Sequence, residues 1–287
     1  MKNKKKLEEA IDLINSVQDS LSKLLNTFDI EEDNISVEHF SYNPQLNSNK
    51  TFQNFIEGEN NKLARTMGLS IAESPGQEAC NPCFIYGSSG CGKTHLINAI
   101  GKTCTEKYPQ KHVMYISARE LQRQYTYSVC KNMMDDFINY YQSVDVLIVD
   151  DIQEWGEAPK TLDAFFQIFN HLIRCDKHVI LASDRAPIKL KGMKKQIIGR
   201  FVSGLVIEIE KPTVQLCKDI INAKCDQEGL KIPAEVVEYI ANTANGSVCE
   251  LEGVVKSLAT RSSVYNVKVD MEMAKRVISS FVRLNEQ

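Results

Sequence analysis

Eight consecutive residues carry the most specific chemistry in this chain: Gly87-Ser88-Ser89-Gly90-Cys91-Gly92-Lys93-Thr94. They satisfy G-x-x-x-x-G-K-[ST], follow the apolar run Cys83–Tyr86, and open a helical pattern over Thr94–Ile100. Each residue type has a physical task. Glycine lets the backbone wrap closely enough for several N–H groups to face one anion, and a helix N-terminus adds a favourable dipole. Lys93 supplies the positive charge that β- and γ-phosphates require, and the Thr94 hydroxyl is a hard oxygen ligand suited to Mg²⁺. The expected ligand is a nucleoside triphosphate.

A second constellation follows. Val144-Asp145-Val146-Leu147-Ile148-Val149-Asp150-Asp151 is an apolar strand that ends in two carboxylates, the Walker B arrangement. Asp150 is expected to hold Mg²⁺ and Asp151 to polarise an attacking water. Asp145, at the start of the strand, receives no role. The run His178–Ala182 then delivers Ser183 and Asp184, and Asp184 is the candidate sensor of the γ-phosphate.

Positioning these groups requires a particular scaffold. Candidate strands Cys83–Tyr86, Val113–Ile116, Val144–Val149, His178–Ala182 and Leu205–Ile209 alternate with helical stretches over 93–106, 119–141 and 161–174. Such alternation implies an α/β fold, a five-stranded parallel sheet flanked by helices. Residues 212–287 change texture. Val214–Cys225, Ala234–Ala244, Cys249–Tyr265 and Met271–Val282 read as helices with no strand among them, a small all-helical second domain. Upstream, residues 1–28 read as an amphipathic helix (Leu7, Ile11, Ile14, Val17, Leu21, Leu24, Leu25, Phe28) and residues 29–50 as a polar linker, leaving 51–211 as the α/β domain.

Bulk properties narrow the class. The 287 residues are 43% hydrophobic and 25% charged, and no apolar run approaches the length of a membrane span. The basic start, Met1 to Lys6, is not followed by a secretory h-region, so a cytoplasmic protein is expected. Nine cysteines are scattered, and Cys80-Asn-Pro-Cys83 lacks a second ligand pair; buried thiols are expected there rather than zinc. A net charge of −3 argues against a protein coated in phosphate-binding charge. One run nevertheless holds Arg185, Lys189, Lys191, Lys194, Lys195 and Arg200 with no acidic residue between them, expected to be a solvated loop-helix face.

Together these motifs resemble the central AAA+ ATPase domain of the DnaA-type bacterial replication initiators, in particular the Bacteroides-type sequences. Thr51-Phe-Gln-Asn-Phe-Ile56-Glu-Gly-Glu-Asn-Asn61-Lys-Leu-Ala64 resembles the family's entry motif, and the Asp150-Asp151 pair replaces the Asp-Glu of most AAA+ proteins as it does there. Ala182-Ser-Asp-Arg-Ala-Pro187 resembles the sensor 1 segment and Gly199-Arg200-Phe201 the arginine-finger box. The resemblance covers about residues 44–284. It implies ATP and Mg²⁺ as ligands, with Ile56, Asn61 and His95 joining the P-loop in binding the nucleotide. It also implies that Arg200 reaches the γ-phosphate of a neighbouring subunit in a head-to-tail oligomer, with itself or with a full-length initiator. The stretch 118–142 resembles the insertion that engages single-stranded DNA, with Thr126, Tyr127, Lys131 and Lys160 as the expected contacts.

Departures from the family pattern open alternatives. Cys249 stands where the family's lid carries the sensor 2 arginine, and Cys91 replaces a leucine in the P-loop. The resemblance stops before the helix-turn-helix domain that reads duplex origin boxes, so no sequence-specific duplex reader is expected, and the 1–28 helix stands in place of the family's partner-docking domain. The expected activity is slow ATP hydrolysis in replication initiation or its control. Alternatives are a non-hydrolysing regulator of the Hda type and a helicase loader or transposition helper of the DnaC/IstB type; the entry motif at 51–64 and the Asp150-Asp151 pair argue against the last.

Overall fold

The computed structural model describes residues 43–244 and 246–281. The helix expected over 1–28, and residues 29–42 of the expected linker, lie outside the described residues. Among the described residues five strands, β1 (Cys83–Tyr86), β2 (Val113–Ser117), β3 (Val146–Asp150), β4 (His178–Ser183) and β5 (Leu205–Glu208), form one sheet in the order β2-β3-β4-β1-β5. Every pairing is parallel. β3 and β4 are buried at every residue, which explains why they read as unbroken apolar runs rather than alternating ones.

Strand alternation divides the sheet into two covered faces. Cys83, Ile85, Val146, Ile148, Ile180, Ala182 and Ile207 share one core with α1 (Lys62–Glu73) and α2 (Lys93–Lys107), through Ala64, Ile71, Leu96, Ile97 and Ile100. The intervening residues Phe84, Leu147, Val149, Val179 and Leu181 are equally buried on the opposite face. There α5 (Pro159–Arg174) packs on β4. Its Phe165 and Phe169 meet Trp155 at 4.6 Å (from Phe165) and Phe201 of α6 (Lys195–Phe201) at 5.2 Å (from Phe169), ring centre to ring centre.

The single helical stretch expected over 119–141 is two helices, α3 (Ala118–Cys130) and α4 (Met134–Ser143). The apolar periodicity continues through the break, so the pattern alone does not show it. The chain turns at Asn132, whose φ of 56° is the left-handed conformation that asparagine tolerates better than most residues. The turn folds α4 back on α3: the Tyr141 hydroxyl donates to Gln124 Oε1 at 2.5 Å, and the Tyr125 and Phe137 rings meet at 6.1 Å.

Residues 43–50 are held against the sheet domain. Pro44 O accepts the Tyr115 N–H at 2.9 Å, the Asn47 N–H donates to Asn98 Oδ1 at 2.8 Å, and Leu46 packs on the sheet core. After β5 the regular elements among the described residues are all helices: α7 (Val214–Glu228), α8 (Ala234–Thr243), α9 (Val248–Tyr265) and α10 (Met271–Ile278). Leu216, Ile221, Val236, Ile240, Leu251, Leu258 and Ile278 form their own core. Thr213 caps α7 by accepting the Leu216 N–H, and Asp270 caps α10 by accepting the Met273 N–H. Among the described residues no helix is long and apolar enough to cross a membrane.

Candidate functional site

The parallel register brings the C-terminal ends of the strands into line: Ser117 pairs with Asp150, and Tyr86 with Ser183. Ligand crevices in open α/β sheets form at this edge. The P-loop leaves β1 there and enters α2. Gly90 (φ 75°) and Gly92 (φ 106°) adopt conformations that side chains resist, which explains glycine at both positions of the loop. α2 starts with no side-chain cap and no acidic residue in its first turn, so its leading N–H groups are open to an anion. Lys93 is buried, and its ammonium donates to the Gly87 and Ser88 carbonyls at 2.8 and 3.0 Å, folded over the loop it serves.

The P-loop and β3 meet directly. Thr94 Oγ1 donates to Asp150 Oδ2 at 2.6 Å, the Tyr115 hydroxyl donates to the same oxygen at 3.1 Å, and the Asp151 N–H donates to Asp150 Oδ1 at 2.9 Å. Burial pushes the Asp150 carboxyl above its usual range; the hydrogen bonds from Thr94 and Tyr115 oppose that, and the Asp151 charge adds to it. A hydroxyl and a carboxylate in contact match the sparse protein ligation of Mg²⁺.

Asp151 has φ 56°, a left-handed turn that directs the chain out of β3 into the 3₁₀ helix Ile152–Glu157. Two residues on, Gln153 Nε2 donates to Asp151 Oδ1 at 2.9 Å while Gln153 Oε1 accepts the Asp184 N–H at 3.1 Å. Asp184 lies at the site, but its carboxylate is bound by Arg185 in two bonds of 2.5 and 2.8 Å. That pairing holds the Asp184 carboxyl below its usual range, with a smaller contribution from Lys93. Gln153 and Tyr115 were not expected from the sequence. The only sequence signal is indirect: Gln153 closes the Asp-Asp-Ile-Gln segment, and Tyr115 stands two residues before the end of β2.

A second group forms the side of the site. The segment 51–61 straddles two cores, with Phe52 and Phe55 in the sheet core and Ile56 against the helical one. Ile56, Asn61, Cys91, Gly92 and His95 line one cleft with Leu216, Ile220 and Val248 of the helical domain. Asn61 is buried; its Oδ1 accepts the Gly58 N–H at 2.8 Å and its Nδ2 donates to Ile56 O at 2.9 Å, so it braces the turn rather than presenting its amide to the cleft. His95 Nε2 faces Thr51 O and Asn54 Oδ1 at 3.0 and 2.9 Å, and burial lowers its pKa. Two acceptors require that nitrogen to carry the proton.

The helical domain touches the P-loop itself. The Val248 N–H donates to Gly90 O at 2.9 Å, and a Cβ on Gly90 would lie 1.9 Å from Ser247 Oγ. Cys249, next along α9, is exposed, whereas Cys91 is buried. Cys80 and Cys83 are buried in the sheet core. The remaining expected residues lie elsewhere. Arg200 is exposed on α6 and lines a separate cavity of about 470 Å³ with Phe166, Asn170 and Arg174 of α5. Thr126 and Tyr127 sit in the last turn of α3, Lys131 follows with its ammonium 6.0 Å from the Tyr127 ring, and Lys160 is in the first turn of α5.

The Bacterial DnaA ATPase domain family model matches residues 46–208. The chromosomal replication initiator protein DnaA of Bacteroides fragilis is 50% identical over 240 residues, which is 84% of this chain and 50% of that protein. Domain III of the Thermotoga maritima replication initiation protein DnaA superposes with a TM-score of 0.79 at 30% identity, covering 83% of this chain and 99% of that one. A replication initiator DnaA bound to AMPPCP and single-stranded DNA gives a TM-score of 0.69 at 32% identity, covering 82% of this chain and 81% of that one. The chain spans about half the length of the curated relatives it matches. The chain belongs to the bacterial DnaA ATPase-domain family.

Proposed function

We propose that this chain binds ATP with Mg²⁺ and hydrolyses it slowly, acting in initiation of DNA replication or its control through ATP-dependent head-to-tail assembly and contact with single-stranded DNA or a full-length initiator. The observation that carries this reading is the 2.6 Å contact between Thr94 and Asp150 beside an uncapped helix N-terminus. In that arrangement the N–H groups of Gly90 to Thr94 cradle the phosphates and Lys93 exchanges its two loop carbonyls for phosphate oxygens. Thr94 and Asp150 would hold Mg²⁺, which when bound neutralises charge on the phosphates. Asp151 orients the attacking water, Gln153 holds Asp151, and Asp184 stands at the far side of the γ-position. Ile56 and the residues facing it on α7 give the base an apolar slot, with Asn61 and His95 fixing its wall.

Arg200 is exposed and lines a cavity that holds no P-loop residue, which suits a group acting on a neighbour's nucleotide. An arginine supplied in trans contributes about 10³–10⁵ in rate to phosphoryl transfer, so the isolated subunit hydrolyses slowly. The relative holding AMPPCP and single-stranded DNA supports both ligands for this chain.

A second reading has its own observation. The exposed Cys249 stands at the lid position next to the P-loop contact, where an arginine would reach phosphate. This favours a nucleotide-bound regulator that assembles on initiator filaments without turnover. Titration of ATP and of ADP with Mg²⁺, combined with sizing in the presence of single-stranded DNA, tests the main reading. Assembly with ATP and not with ADP is expected. No affinity for either nucleotide would end it.

A further inference from the structure

The surface after β4 concentrates positive charge, most of it on lysines with no role in the nucleotide site. Between Arg185 and Arg200 the chain carries Lys189, Lys191, Lys194 and Lys195 and no acidic residue, in a protein of net charge −3. All four lysines are exposed. Among the described residues only Lys194 of the four has an acidic partner, Asp163 at 2.8 Å. The 3₁₀ helix Pro187–Lys189 lifts Ile188 among them, and Ile188 is 91% exposed, the most exposed large apolar side chain described.

Tertiary contacts extend this surface beyond the run itself. A Cβ on Gly192 would lie 1.8 Å from the Gly156 carbonyl oxygen, so the two backbones touch, and Lys194 reaches across to Asp163 of α5. Both contacts lay the turn alongside the start of α5, where Lys160 is exposed one helical turn before Asp163 and on the same face. Five lysines, 160, 189, 191, 194 and 195, thus share one neighbourhood around an apolar tip.

We propose that this lysine surface is a track for the backbone of single-stranded nucleic acid, with phosphates on the lysines and an unstacked base against Ile188. The inference rests on the single-strand part of the function proposed above and adds residues 188–195 to it. Phosphate contacts from flexible ammonium groups need no fixed geometry, whereas an apolar tip is useful only to a partner that offers an exposed base face. A duplex hides that face, and an acidic protein surface would set charge against Ile188.

The test is the salt dependence of binding to a labelled oligothymidylate, measured on the full chain with Mg²⁺ and a non-hydrolysable ATP analogue. Each lost phosphate contact lowers the slope of log K against log salt by about 0.7 for a single strand. The combined variant Lys189→Gln, Lys191→Gln, Lys195→Gln is expected to lower the slope by about 2 and keep nucleotide affinity, which reports an intact fold. Lys→Arg at the same three positions should retain the slope. Ile188→Ser should weaken binding about equally at all salt concentrations. If wild type binds the oligomer and the glutamine variant keeps its slope, the track is wrong while the single-strand reading stands. Wild type without affinity for the oligomer would overturn both. Loss of self-assembly in the glutamine variant with an unchanged slope would assign the lysines to an acidic protein surface instead.

Discussion

Gln153 donates to Asp151 from the same side chain that accepts the backbone N–H of Asp184, at 2.9 and 3.1 Å. A backbone N–H can only donate, so Oε1 must face Asp184 and Nε2 must face Asp151; the amide has one orientation. The carboxylate proposed to orient water is therefore tied to the end of β4, two strands' worth of backbone held in one hydrogen-bonded line.

Gln153→Glu reverses half of this bridge. A carboxylate in that place still accepts from Asp184 but repels Asp151 and frees it to turn. Misplacement of a positioned group by about 1 Å can cost about 10²-fold in rate. The expected outcome is single-turnover ATP hydrolysis reduced by about that factor, with nucleotide affinity within about twofold of wild type. Hydrolysis at the wild-type rate would remove Gln153 from the mechanism.

Tyr115 supports the other carboxylate. Its hydroxyl shares Asp150 Oδ2 with Thr94, and burial of Tyr115 together with the Asp150 charge raises its own pKa, so it stays a donor at any working pH. When Thr94 turns to a cation, Tyr115 is the remaining donor on that oxygen. Tyr115→Phe should raise the Mg²⁺ concentration needed for half-maximal ATP binding, by about the 10-fold lower bound typical for groups that orient metal ligands. Binding of nucleotide without Mg²⁺ should not change. An equal loss with and without Mg²⁺ would point to a packing defect instead.

These two residues show where sequence legibility ends. The P-loop and the Asp150-Asp151 pair were readable because their chemistry is set by adjacent residues: glycines at positive φ, a lysine and a threonine entering a helix, a strand ending in carboxylates. The sheet was readable because β3 and β4, buried on both faces, are unbroken apolar runs. Tyr115 and Gln153 act across strands, and Ser247 meets Gly90 across domains; no local pattern encodes such pairings. The turn at Asn132 was hidden for a different reason. The apolar spacing needed by two antiparallel helices does not differ from that of one long helix, so only the backbone conformation of a single residue separates them.

Cys249 tests whether the lid is incomplete. It follows Val248, whose N–H is bonded to Gly90 O, so a longer side chain at 249 starts within reach of the P-loop. A charged hydrogen bond contributes about 1.5–3 kcal/mol. Cys249→Arg is expected to tighten ATP binding relative to ADP or to raise turnover by at least about 10-fold, the lower end of that range. Wild type that already hydrolyses as fast as the variant, with the same ATP preference, would show that the lid needs no cation at this position.

His178 governs a pH dependence of stability. It opens β4 in the core, 1% exposed; its Nδ1 accepts the Gly76 N–H at 3.1 Å, and its buried Nε2 has no hydrogen-bond partner among the described residues. Burial alone lowers its pKa from 6.5 to about 4. The unfolded chain therefore takes up a proton as pH falls through 6.5, while the folded chain refuses it until about pH 4. Stability is fully present above pH 6.5 and is lost as pH falls between those values, about 2 kcal/mol by pH 5. His95, whose pKa is also lowered by burial, acts with the same sign, so the comparison must be made against a variant. Urea midpoints at pH 7 and pH 5 should differ by less in His178→Gln than in wild type, even if that variant is less stable at both. Equal shifts in the two proteins would mean that His178 takes up its proton over the same pH range in the folded and the unfolded chain.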